Sequence, residues 1–171
     1  MKPYIYLFSL FFLFFSCQNT QSGNKFADCK YGEPKAIFNE NLDFVNRHNF
    51  KIKELEGIEE VTFSSGKQLT IYQSGCNEIK QDFEFILEAQ PDSNLINPYF
   101  WIGKTIEEFQ ALGAFGPDYF SYSTWAQVIA ENADKIKIAE YQEVQPGFYV
   151  KIDRINGQDE STLMVTLSES P

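Results

Sequence analysis

Between Ile79 and Glu88 the chain alternates with a period of two: Ile79, Gln81, Phe83, Phe85 and Leu87 share one parity, Lys80, Asp82, Glu84, Ile86 and Glu88 the other. Successive side chains of a strand point to opposite faces, so this segment is expected to be a half-buried antiparallel strand. Such a strand needs paired neighbours and an apolar cover to be stable.

The neighbours are visible on both sides. Residues 58–63 and 68–73 flank Ser64-Ser65-Gly66-Lys67, which places glycine where a tight turn calls for positive φ, and together they predict a hairpin. Residues 50–55 suggest a further strand, and Phe38, Leu42 and Val45 stand at helical spacing, predicting a short helix before it. Downstream, Thr105-Ile106-Glu107-Glu108 reads as a capping box opening a helix that Gly113 ends. A second helix is expected over 124–134, capped by Ser123, with Trp125, Val128, Ile129 and Ala133 facing inward. Residues 136–141, 148–155 and 162–167 alternate again, separated by Pro146-Gly147 and Asn156-Gly157. Strands, helices, then strands predict an α+β domain over residues 26–171, with an antiparallel sheet of about six strands and two or three helices covering one face.

Composition excludes some classes outright. The chain has 171 residues, 43% of them hydrophobic, which is enough for a packed core and too much for a disordered tail. Its formal net charge of -10 repels phosphate backbones, and no basic stripe offsets it, so nucleic acid is not an expected partner.

The N-terminus carries an address. Lys2 is followed by a run from Tyr4 to Phe15 that is apolar or aromatic except for Ser9, and the run ends in Ser16-Cys17. This is the layout of a secretory signal peptide, and it is shorter than the roughly 20 residues a membrane-spanning helix requires. Bulky Phe14 occupies the third-last place before Cys17, where ordinary signal cleavage wants a small residue. Phe14-Phe15-Ser16-Cys17 resembles instead the lipobox of bacterial lipoproteins, departing from it at Phe15, where that pattern has a small side chain. The resemblance covers residues 1–17 only. It implies that residues 1–16 are a signal peptide, that Cys17 is acylated, and that the membrane is a partner through this lipid anchor, each buried methylene contributing about 0.8 kcal/mol. Gln18 in place of Asp further implies localisation in the cell envelope at the outer membrane. Residues 17–25 contain no large apolar side chain and read as a flexible tether.

With Cys17 assigned to lipid, Cys29 and Cys76 remain as one pair. In an oxidising envelope they are expected to form a disulfide, closing a loop of about 46 residues worth about 4 kcal/mol on the chain-entropy model. Metal and thiol chemistry lack their spacing: there is no CxxC, and His48 is the one histidine. That histidine reads as a loop residue, and no serine stands in a GxSxG elbow to use it. Close acidic pairs such as Glu59-Glu60, Glu107-Glu108 and Asp159-Glu160 are inevitable among 24 acidic residues and nominate nothing by themselves. Asp153 to Glu160 is rich in oxygen donors but misses the calcium-loop pattern at Ile152 and Arg154, and residues 64–67 lack the first glycine, the Gly-Lys-Ser/Thr ending and the following helix of a phosphate loop. No catalytic residue, metal or cofactor is assigned.

Aromatic residues crowd between Pro98 and Trp125. Phe100, Phe109, Phe115 and Trp125 read as core over the sheet, whereas Tyr99, Trp101, Tyr119 and Tyr122 are the candidates for contact with a ligand, in loops around 91–104 and 114–124. The resulting expectation is a non-catalytic envelope lipoprotein that binds a protein or glycan component through aromatic loops. The competing classes are a small carboxylate-dependent hydrolase, which predicts converging acids in a polar cleft, and a purely structural lipoprotein with no sizeable exposed apolar patch.

Overall fold

The computed structural model describes residues 25–74 and 76–171; the expected signal peptide (1–16), Cys17 and all but the last residue of the expected tether lie outside them. Strands β1 (Val45–Lys53), β2 (Glu56–Phe63), β3 (Gln68–Ser74) and β4 (Lys80–Glu88) form an antiparallel meander. Helices α1 (Asp92–Leu95), α2 (Pro98–Gly113) and α3 (Phe120–Glu131) follow, with a 3-10 turn at Pro117–Tyr119. Strands β5 (Tyr141–Gln145), β6 (Phe148–Asn156) and β7 (Glu160–Ser168) complete the sheet. The order across it is β1-β2-β3-β4-β7-β6-β5, every pairing antiparallel. The α+β class is as expected, but the sheet has seven strands rather than about six.

The alternation reads directly into the core. Phe83 and Phe85 of β4, Leu69 and Ile71 of β3, Val150 and Ile152 of β6, and Leu163 and Val165 of β7 share the inner face and are buried. Phe109 of α2 and Tyr122 of α3 close over Phe83 with ring centroids 5.1 and 5.8 Å away, in the edge-on geometry that aromatic quadrupoles favour. The two helices approach closely at Gly113: a Cβ there would run into Ser123 Oγ and lie 2.6 Å from the Ser123 backbone nitrogen. Glycine is required at this point by packing between helices. The predicted turn holds too, with Gly66 at φ +87° and its N–H donating to the Phe63 carbonyl.

Four boundaries differ from expectation, each for a local reason. Residues 38–45 form no helix; Phe38 and Phe44 enter the core from turns, and Val45 opens β1. Helix α2 starts at Pro98, where proline is tolerated because its missing N–H has no helical partner, and the Asn97 side chain caps it by accepting from Tyr99 N. Thr105 is therefore interior, its hydroxyl donating to the Trp101 carbonyl one turn back, and Ser123 lies inside α3 against Gly113. Residues 136–140 are a turn that plugs Ile136 into the core, and β5 begins only at Tyr141.

Candidate functional site

The four aromatic candidates part company in the structure. Tyr99, in the first turn of α2, is 67% exposed. Trp101 is fully buried, its indole N–H donating to the Leu95 carbonyl at 3.3 Å. Two residues on a helix differ by about 200° in direction, so once α2 begins at Pro98 these neighbours face opposite ways. Tyr119 stacks on Phe38 at 5.0 Å and is buried, as is Tyr122 against Phe83 and Phe109. Burial, and behind it the Glu59 charge, pushes the Tyr122 phenol well above its ordinary range; burial and the Asp118 charge raise Tyr119. Trp101, Tyr119 and Tyr122 are thus core residues, leaving Tyr99 as the surface aromatic of the four.

Among the described residues two carboxylates, Glu59 and Glu108, are buried, and both are occupied. Glu59 lies on the inward parity of β2, between Gly57 and Val61, fully shielded from solvent. Its oxygens accept the backbone N–H groups of Ile37 at 2.9 Å and Phe38 at 2.8 Å, and face His48 Nε2 at 2.9 Å. His48 is therefore a strand residue of β1 pinned to a core carboxylate, and the pair anchors the segment before β1 onto the sheet. The signal was legible: an acidic residue sits on the apolar parity Gly57, Glu59, Val61, Phe63. Glu108 of α2 is the second; Lys67, in the β2–β3 turn, donates to both its oxygens at 2.8 and 2.7 Å. The oxygen-rich segment before β7 closes on itself, Gly157 N donating to the Glu160 carbonyl at 2.9 Å. Among the described residues no group of three His, Cys, Asp or Glu side chains is placed to hold a metal ion.

At one end of the sheet Cys29 and Cys76 lie at disulfide distance, with Cα atoms 4.7 Å apart. Beside them Tyr31 donates to Glu169 at 2.7 Å, and Glu169 also accepts the Ile79 N–H at 3.0 Å. These hydrogen bonds, with the Lys30 charge, hold the Glu169 carboxyl below the usual carboxylate range. The nine residues of β4 carry the sheet away from this end, a distance of about 30 Å at 3.3 Å per residue.

The far end holds an apolar slot of about 240 Å³ between the β2–β3 turn, β4 and α2. Phe85, Leu87, Leu112 and Phe115 line it, and the Lys67–Glu108 pair stands at its rim. A larger, more open hollow of about 370 Å³ lies at the cysteine end, beside Tyr31, Leu55 and Ile79. Concave apolar sites with a few convergent polar groups are where ligands bind, and the slot has that character. Around the same end stand Ile96, Tyr99 and Ile155, exposed by 80%, 67% and 60%. Arg154 Nε, donating to the Leu95 carbonyl at 2.9 Å, ties the end of β6 to α1 and brings these residues to one end. The chain matches no family model, no curated protein and no solved structure.

Proposed function

We propose that this protein is a lipid-anchored binding domain of the bacterial cell envelope, held at the outer membrane by acylated Cys17, that grips another envelope component without catalysing a reaction on it. The observation carrying this reading is the placement of the slot, with Ile96, Tyr99 and Ile155, at the end of the sheet opposite the one where the described chain begins. A tether leaving from the cysteine end holds that end near the lipid and turns the apolar end outward, where a partner can reach it. Ile96, Tyr99 and Ile155 are the apolar side chains at that end left for a partner to cover.

The slot is smaller than the 300–1,000 Å³ typical of drug-sized ligands. It suits one or two protruding side chains of a partner, with Tyr99 supplying rigid contact area at the other end of α2, about 18 Å along the helix from Ala111 at 1.5 Å per residue. Neither buried carboxylate offers a free oxygen edge for acid–base work, since backbone amides and His48 occupy Glu59 and Lys67 occupies Glu108. The Cys29–Cys76 bridge belongs to the same reading, because the envelope is an oxidising compartment.

Two measurements test the reading. Mass spectrometry of material from native membranes should find Cys17 as an acylated N-terminus; an intact leader or an unmodified thiol defeats the anchoring. Recovery of bound envelope components should fall for a Tyr99→Ala, Ala111→Phe double variant that melts like wild type, Ala111 being a slot residue. Unchanged recovery defeats the site.

A further inference from the structure

The charges around the slot indicate what kind of partner it takes. Glu88 and Glu160 stand directly opposite each other in the β4–β7 register. Both are exposed, and among the described residues neither forms an ion pair. Like charges at directly opposed positions destabilise a sheet, so the fold keeps an unfavourable pair here. Two residues inward on the same outer face comes the row Ile86, Thr162, Ile155, set by the β4–β7 and β7–β6 registers. Ile86 also borders the slot, and Leu87, between Ile86 and Glu88, lines it from the other parity. The Ile86–Thr162–Ile155 row and the carboxylate pair lie on the outer face of the sheet and the slot opens on the inner face under α2, so they meet only at the end of β4, where Ile86 and Leu87 border the slot and Glu88 follows them, in a chain whose formal charge is already -10.

Resting on the binding function proposed above, we infer that the partner is a protein segment both basic and apolar, which seats an apolar side chain in the slot and sets a Lys or Arg between Glu88 and Glu160. A glycan or an anionic lipid headgroup meets the wrong complement: the lining is apolar, and although Arg47 and Arg154 at this end form no ion pair among the described residues, Arg154 is committed to the Leu95 carbonyl and Arg47 stands on the edge strand β1, whereas Glu88 directly follows the slot residue Leu87. The one lysine at the rim, Lys67, is engaged by both oxygens of Glu108. Drawing Lys67 off to meet an anion strands a buried carboxylate, which is expensive. A cation at Glu88 and Glu160 instead relieves a repulsion already present, and long-range attraction by the acidic surface speeds its arrival.

The test uses the full chain in zwitterionic nanodiscs and three short peptides alternating leucine with lysine, serine or glutamate, read by hydrogen exchange over residues 84–96 and 155–162. The lysine peptide should protect these segments at a concentration about tenfold lower than the serine peptide, the glutamate peptide weakest of all. That advantage should disappear in a Glu88→Gln, Glu160→Gln variant and at high salt, whereas Ala111→Phe should abolish protection by every peptide. Equal protection by the glutamate and lysine peptides, or a lysine advantage that survives the double variant, overturns the inferred chemistry. If the serine peptide protects as strongly as the lysine peptide and Ala111→Phe removes both, the basic partner is wrong while the binding site stands. If no peptide protects either segment, both fall.

Discussion

At the cysteine end, Tyr31, Ile79 and Glu169 join three distant parts of the chain by hydrogen bonds beside Cys29 and Cys76, and Gln73 reaches the Lys35 carbonyl at 2.8 Å. At the other end, Glu88 faces Glu160, Ile96 and Tyr99 stand in solvent, and the buried Ser161 hydroxyl finds no partner among the described residues. One end is tied by hydrogen bonds across the chain, and the other keeps a like-charge pair and one buried hydroxyl without a partner among the described residues. Exposed apolar side chains occur at both ends, Tyr31, Leu55 and Ile79 at 42%, 44% and 39% beside the cysteines against Ile96, Tyr99 and Ile155 at 80%, 67% and 60%, so the like-charge pair and the deeper exposure mark where another molecule is expected to complete the structure.

Substitutions can break or sharpen this contrast. The largest effect belongs to the cysteine end: Cys29→Ser should lower unfolding free energy by about 4 kcal/mol under oxidising conditions, and reductant should bring wild type to the same level in denaturant titration. Equal melting of wild type with and without reductant contradicts the bridge. The far end should respond in the opposite direction. Ser161→Ala removes a buried hydroxyl with no partner and should stabilise by about 1 kcal/mol; a loss of stability there shows that the hydroxyl is satisfied. Glu160→Lys turns the facing carboxylates into an opposite-charge pair and should stabilise by about 0.5 kcal/mol at low salt, with the gain shrinking as salt is added. No gain at low salt means that the pair is not repulsive.

The smallest effect concerns acid. Glu169 has its folded-state pKa lowered below the ordinary 4.5 by the Tyr31 hydroxyl, the Ile79 amide and the Lys30 charge. A lowered carboxylate stabilises the fold above its unfolded pKa, and that contribution is lost as pH falls through the folded value. Stability measured from pH 6 down to pH 3 should therefore decline less steeply in Tyr31→Phe than in wild type. Identical slopes remove Glu169 from the account of acid sensitivity.

Much of the architecture was legible from periodicity. The alternation at Ile79–Leu87 marked β4 and its inner face, Gly66 marked the hairpin turn, and the strand–helix–strand order marked an antiparallel sheet with a helical cover. The candidate site was less legible. The aromatic stretch was visible, but only Tyr99 of its four nominated residues reached the surface, because the helix began at Pro98 instead of Thr105 and set Trp101 against Arg154 and the core. Glu59 sat in view on an apolar parity, yet its partners, the Ile37 and Phe38 amides, come from more than twenty residues upstream. The slot draws on β2, β3, β4 and α2 together, so no single segment announces it.

By itself, then, the sequence determined five of the seven strands, β2, β3, β4, β6 and β7, and where a tight turn falls, since these follow from side-chain spacing and local backbone preference. Tertiary structure decided which aromatics are buried, which carboxylates are occupied and which end keeps a like-charge pair. Burial and charge pairing depend on what is packed opposite a residue, and here the opposing residues lie tens of positions away along the chain.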